Sequence, residues 1–427
     1  MGLVLALAGL LASACTAGPG ADRVSVIASW TGSEGEAFGK VLRAFKDETG
    51  IQVDYQGTRA VDQVLASDVR RGTAPDVAVL PNPGSLAAHI RQGQVRPLDD
   101  VLGEQARGSF GRQWQNLLKL GTANLYAVPV KADVKSVIWY NRASLPGPAP
   151  RSLAELGALS TSLIAAGATP WCLGMGAPPT SGWPGTDWIE DILLHTAGPE
   201  AYRQWSAGTL PWTSAPVREA WKAWGNLVTV PGAVRGGTAA ALLTDFGDAG
   251  KGLFTTPQGC ALEHQLSFIM GPYQAVRRPD GGGPRPGADF DFFRFPGANV
   301  SEVSADLAGM FHDTPAARRL MVFLTSDKAQ RIWPGIPGGS TFSASRTVDP
   351  GVYGDAVSRK VAATLTSDPQ QCFDASDLMP ATMTGAFYRA VLEYLNDPGQ
   401  LETLLSRLEN VRGGIPPGEW LDVPCGQ

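Results

Sequence analysis

RVSVIAS at residues 23–29, FGKVLRAFKDETGIQVDY at 38–55 and PDVAVLP at 75–81 switch the apolar period from two to 3.6 and back within sixty residues. Val24, Val26 and Ala28 alternate with more polar positions, as in a strand. Phe38, Val41, Leu42 and Phe45 then recur along one helical face, with Ser33 and Glu36 at capping-box spacing ahead of them and Gly50 as a stop. Ile51, Val53 and Tyr55 resume the strand period, Val61, Leu65 and Val69 mark a second helix before VAVL, and a third helix is expected from about Ser85 to Gly93. Strand, helix, strand, helix, strand spells an α/β lobe with a doubly wound sheet.

Outward from that lobe, LYAVPVKADVKSVIWYNR (125–142) is an extended apolar segment long enough to pass into a second lobe. Beyond it PRSLAELGALSTSLIAAG (150–167), TDWIEDILLHTAG (186–198) and APVREAWKAWGNLV (215–228) read as helices, with Asp187 and Glu190 at capping spacing. PDGGGPRPGADFDFFRFP (279–296) has turn chemistry followed by an aromatic strand, and the helical patterns at 314–333 and 382–397 suit a chain that returns to both lobes. The expected division is 1–21 as leader and tether, 22–131 with 300–345 as lobe 1, and 132–299 with 346–427 as lobe 2.

Residues 2–14 form an uncharged apolar run, too short for a membrane span but suited to a signal-peptide core. The run ends in LLASAC, which resembles a bacterial lipobox with Cys15 as the lipidated residue, although Ala12 stands where leucine is usual. The protein is therefore expected to be extracytoplasmic and anchored to the cell membrane by lipid. An oxidising compartment would pair the other four cysteines, and Cys172 with Cys260 and Cys372 with Cys425 closes each loop within one region of the sequence. Each bridge contributes roughly 3–5 kcal/mol in the loop-entropy picture.

The 35 basic and 40 acidic residues of the 427 give a formal charge of -5 without a long single-sign run, which argues against nucleic acid as a partner. No CxxC, HExxH, GxSxG or P-loop occurs, so neither a zinc site, an acyl-transfer enzyme nor a nucleotide enzyme is indicated, and no cofactor is expected.

FKDETGIQVDY, GTAPDVAVLP, GQVRPLDD, AVPVKADVKSVIWYNR, ADLAGMF and MVFLTSDKAQ occur in the order and spacing of a known family. In these segments the chain resembles the family 1 extracellular solute-binding proteins of ABC importers, and PWCLGM with SGWPGTDWIEDILL resembles their α-glucoside-receptor branch. The resemblance implies two α/β lobes joined by a hinge, closing over a ligand in the cleft, and a monomer that delivers a sugar to membrane permease subunits. Open α/β sheets bind ligands beyond the carboxyl ends of their strands, which points independently to the loops after SVIAS and VAVL.

Sugars offer hydroxyls and apolar C–H faces, so carboxylates, amides, amines and aromatic rings are the candidates. Trp30 and Glu34 leave the first strand. The resemblance places Glu34 where the maltose receptors of the family carry a ligand-contacting aspartate, and a carboxylate favoured by the helix dipole explains it equally well. Lys131 and Asp133 lie on the first crossing segment, where Asp133 matches a sugar-binding glutamate of those relatives and a plain salt bridge is the other reading. Asn82 follows the third strand, but Pro83 and Gly84 replace two sugar-contacting residues of the relatives. Trp183, in a Gly- and Pro-rich loop, is the foremost stacking candidate, ahead of Asp187 and Trp188, which capping and core packing also explain. Ser340 and Thr341 in PGGSTFSA complete the set, with a plain turn as their alternative.

Three functions follow for test: a sugar receptor, the same receptor for a glycerophosphodiester or polyamine, and a glycan-cleaving enzyme using Glu34 with Asp133 as a carboxylate pair. The absence of any catalytic signature ranks the enzyme last, and a binding protein is expected.

Overall fold

The computed structural model describes residues 23–426 apart from 146, 279–280 and 368–369, without the side chains of 105 and 106. Cys15 and the leader lie outside the described residues. The opening pattern folds as its periods dictate: β1 (Arg23–Ala28), α1 (Gly32–Thr49), β2 (Gln52–Gly57), α2 (Val61–Arg71), β3 (Val77–Leu80) and α3 (Pro83–Arg91) follow one another. Phe38, Val41, Leu42 and Phe45 are the buried face of α1, which ends at Gly50 in the left-handed region. The Ser33–Glu36 capping box does not form. The helix starts two residues earlier than that box would set it, behind Thr31, and no side chain caps it.

Further strands are β4 (Ala127–Val134), β5 (Val137–Asn141), β6 (Leu262–His264), β7 (Phe290–Arg294), β8 (Ser301–Met310) and β9 (Gln371–Phe373). The main sheet runs β2-β1-β3-β8-β4, with β9 on β8. β1 is parallel to β2 and β3, whereas β8 runs antiparallel to β3 and β4, so the sheet is mixed. The second sheet is a smaller antiparallel one, β6-β5-β7, covered by helices. β4 passes straight into β5 through Lys135 and Ser136, and β7 returns to β8, which makes two crossings between the sheets.

Two apolar cores follow from this layout. The first is built around β1, β3, β4 and β8, the second around helices Trp183–Ser206, Ala215–Val228, Ala381–Asn396 and Leu401–Gly414. β5 serves both through its period of two: Val137 and Trp139 join the first core and Ile138 the second. Helix Ala356–Ser367 packs its Val357, Val361 and Leu365 in the first core, so the last crossing comes at β9 and not at residue 345. Cys172 is bonded to Cys260 and Cys372 to Cys425, the pairing expected from the sequence. The second bridge fastens the C-terminal segment to β9, where Gln371 and Gly426 exchange backbone hydrogen bonds of 3.0 Å.

The Pro83–Gly84 pair finds its reason here. A Cβ on Gly84 would lie 2.2 Å from the Met379 carbonyl oxygen and 2.8 Å from that of Leu378, so only glycine lets α3 sit against the segment that follows β9. Gly84→Ala is expected to cost about 1–3 kcal/mol through the backbone shift it forces. A lower Tm in calorimetry checks it, and an unchanged Tm would show that the contact yields without cost.

Candidate ligand site

Beyond the carboxyl ends of the parallel strands β1 and β3 lies a cavity of about 280 Å³ between the two cores. One wall comes from the first lobe, with Glu34 on α1, Arg59 after β2, Lys131 and Asp133 on β4, and Asp306 on β8. Trp183, Phe246, Phe268 and Tyr388 form the other.

The first wall is a charge network. Glu34 accepts from Arg59 at 2.7 Å and from Lys131 Nζ at 3.4 Å, and Lys131 lies 3.4 Å from Asp133. Asp133 also accepts a 2.6 Å hydrogen bond from the Ser267 hydroxyl. Burial works against ionisation of Glu34, but Lys131 and Arg59 outweigh it and hold the carboxyl below its usual range. Burial pushes the Asp133 carboxyl up, only partly offset by Lys131 and Ser267. Burial alone would lower Lys131, yet Asp133, Glu34 and Asp306 raise it, so the ammonium stays charged.

The second wall is aromatic. The Trp183 ring centroid lies 5.1 Å from Phe246 and 6.4 Å from Phe268, which are 5.8 Å from each other. All three rings are partly exposed, in contrast to the core tryptophans. Gly182 sets Trp183 at the start of its helix. Its φ of 108° is open to glycine, and a Cβ would lie 2.4 Å from the Tyr388 carbonyl oxygen.

Behind the cavity, at the crossings, Lys135 Nζ lies 3.0 Å from Asp187 and 4.0 Å from Asp377 and also contacts Asp374. Carboxylate oxygens of Asp187, Glu190 and Asp374 lie within 4.8 Å of one another, a grouping that could hold a metal ion. The Lys135 ammonium already binds two of the three, so this cluster carries its own cation.

The structure brings Glu34, Lys131, Asp133, Asn82 and Trp183 to the cavity and leaves other candidates elsewhere. Trp30 borders it but is only 2% exposed, with its ring edge-on to Phe38 at 4.8 Å and to Trp333 at 4.6 Å, so it is a core residue. Asn82 donates its amide to Asp377 at 2.8 Å, which commits that group to the protein. Asp187 does not cap a helix, since the helix begins at Trp183; it is buried against Lys135. Trp188 is fully buried between Trp171 and His264. Ser340 packs over Gly271 and Thr341 is buried, and neither lines the cavity.

Arg59, Asp306, Phe246, Phe268, Asp377 and Tyr388 line the cavity without having been singled out from the sequence. Asp306 had a signal, a carboxylate at an alternate position of an apolar strand. Phe246 and Phe268 sit in short irregular stretches that have no period to read.

The family described as bacterial extracellular solute-binding protein matches residues 29–331. An alpha-glucosides-binding periplasmic protein of Rhizobium meliloti (strain 1021) is 34% identical over 389 residues, 87% of this chain and 83% of that one. An osmoprotective compounds-binding protein of Synechocystis sp. (strain ATCC 27184 / PCC 6803 / Kazusa) is 34% identical over 394 residues, 88% and 91% of the two chains. Among solved structures, a bacterial solute receptor with a preference for β-D-galactopyranose superposes with a TM-score of 0.77 at 18% identity, covering 92% of this chain and 99% of its own. Maltose-bound T. maritima MalE3 does so with 0.67 at 15%, covering 92% and 99%. These likenesses extend the fold along the whole described chain, which is that of the maltose-receptor-like, type II periplasmic binding proteins. The chain belongs to the family 1 bacterial extracellular solute-binding proteins of ABC importers.

Proposed function

We propose that this receptor captures a sugar of the α-glucoside class between its lobes and presents it to the permease subunits of an ABC importer. The observation that carries this reading is the pairing of walls: three partly exposed rings face a network of charged hydrogen-bonding groups across one cavity. C–H faces stack on the rings while hydroxyls reach the carboxylates and amines. A ligand that touches both walls stabilises the closed arrangement by its differential affinity, and closure is the signal the permease reads. A micromolar ligand requires about -8 kcal/mol. The name of the Rhizobium meliloti relative supports the α-glucoside class. Cys15 as a lipid anchor at the outer face of the cell membrane, and action as a monomer, complete the proposal.

A glycerophosphodiester ligand and a hydrolytic role fit less well. A glycerophosphodiester needs free basic groups, and Lys131, Lys135 and Arg59 are all engaged by carboxylates. Hydrolysis needs a carboxylate pair around a reacting bond, whereas Glu34 and Asp133 are bridged by the Lys131 ammonium. In a thermal-shift and calorimetric screen, an α-glucoside is expected to raise Tm and bind near micromolar. Glycerophosphocholine and spermidine are expected to do neither. Binding of either of those without any sugar response would replace the reading.

A further inference from the structure

Asp306 stands apart from the rest of the charged wall. It lies on β8 opposite Lys131 in the strand register, and its partly exposed carboxylate lines the cavity. Among the described residues its carboxylate has neither a hydrogen bond nor an ion pair, whereas those of Glu34 and Asp133 both have partners. Lys131 and Asp133 of β4, Glu34 of α1, Arg59, Tyr55 of β2 and Asp377 are the titratable and charged groups that act on it. Glu34, Asp133 and Asp306 thus share two cations, Lys131 and Arg59, because Lys135 serves the separate group of Asp187, Asp374 and Asp377. An acceptor-only group without a donor in a half-closed cavity takes either a proton from water or hydroxyl donors from a ligand.

We propose that Asp306 anchors the bound sugar, giving up a proton to solvent as it accepts hydrogen bonds from hydroxyls of a neutral polyol. In that step the carboxyl O–H bond breaks, a buffer base takes up the proton in a new bond to hydrogen, and no covalent bond forms between protein and sugar. Burial carries the empty-state carboxyl up to about 7, against the pull of Lys131. Hydroxyl donors favour the ionised form, so the bound value lies lower. Affinity is therefore complete above about 7 and falls as pH drops through it. Where the bound value lies well below the empty one, linkage makes Kd up to about tenfold weaker at pH 6 than at pH 8.

This inference rests on the sugar reading, and one experiment separates them. Trehalose, maltose and sucrose are titrated calorimetrically into wild type and Asp306→Asn at pH 6 and 8, in two buffers of different ionisation enthalpy. Expected are a pH effect of up to about tenfold and proton release in the wild type. Asp306→Asn, with Tm at or above that of wild type, should bind more weakly at pH 8 and show neither effect. A flat wild-type profile, or a pH effect that survives in Asp306→Asn, overturns the anchor while leaving the sugar receptor intact. Binding of none of the three sugars at either pH overturns the receptor reading itself.

Discussion

Lys135→Met is expected to destabilise the protein by about 3–5 kcal/mol, and far more at pH 8 than at pH 4.5. Lys135 is buried, and its ammonium is shared by Asp187, Asp374 and Asp377 at the crossings between the lobes. Removing it leaves carboxylates in a desolvated site with no counter-charge, which costs more than the net worth of the ion pairs. The pH window follows from the directions of the shifts. Burial opposes ionisation of Asp374, but Lys135 outweighs it and holds the carboxyl below its ordinary value. Its contribution is therefore present above the unfolded value and is lost as pH falls through the folded one. Burial raises Asp187 to about 6 in spite of Lys135, so its contribution is present below the unfolded value and lost as pH rises through about 6. Without Lys135 both must hold protons in the folded state, a demand met in acid and resisted in base. Tm of the variant should thus approach the wild type near pH 4.5 and diverge above 6. Adding Asp374→Asn should recover part of the loss, because the pair is coupled. A pH-independent deficit, with no recovery in the double variant, would reduce Lys135 to a packing residue.

What could be read from the sequence and what could not divides by range. The β1-to-α3 pattern was legible because its evidence is local: the period of Val24, Val26 and Ala28, the face of Phe38 to Phe45, and the stop at Gly50 all lie within a few turns of chain. Trp183 stands out from the Gly- and Pro-rich run that the sequence reads as a loop, although the helix already begins at Trp183 and its ring borders the cavity from the first turn. Trp30 was not legible, because a tryptophan at a strand end looks the same whether it turns to the cleft or to the core. Trp333, from the far end of the chain, settles it. Asn82 and Asp377 pose the same problem, as do Asp187 and Lys135, whose partners meet only once three crossing segments are in place. The charged wall was found in part because Glu34, Lys131 and Asp133 coincide with family positions. Asp306 lay in a segment that carried the resemblance, yet a strand position alone does not tell a cavity lining from a buried pair.

Trp183→Ala is expected to weaken sugar binding by about 2–3 kcal/mol, roughly 30- to 150-fold in Kd, with little change in Tm. The ring is partly exposed at the cavity and touches Phe246 and Phe268 at 5.1 and 6.4 Å, so truncation removes contact surface for a ligand more than packing for the protein. Trp188 five positions on is the control. It is 0% exposed, edge-on to Trp171 at 4.8 Å and 4.5 Å from His264, so Trp188→Ala should cost about 3–5 kcal/mol of stability as a core cavity. Its effect on binding should then follow from the unfolded fraction alone. Trp183→Phe should recover part of the affinity, because a smaller ring still offers a face to stack on, whereas Trp183→Leu offers area without one. Calorimetric Kd and Tm on the wild type and the four variants separate the two roles. An unchanged Kd in Trp183→Ala would remove the aromatic wall from the site, and equal recovery by Leu and Phe would make the contact a matter of apolar area alone, which a non-sugar ligand would use as well.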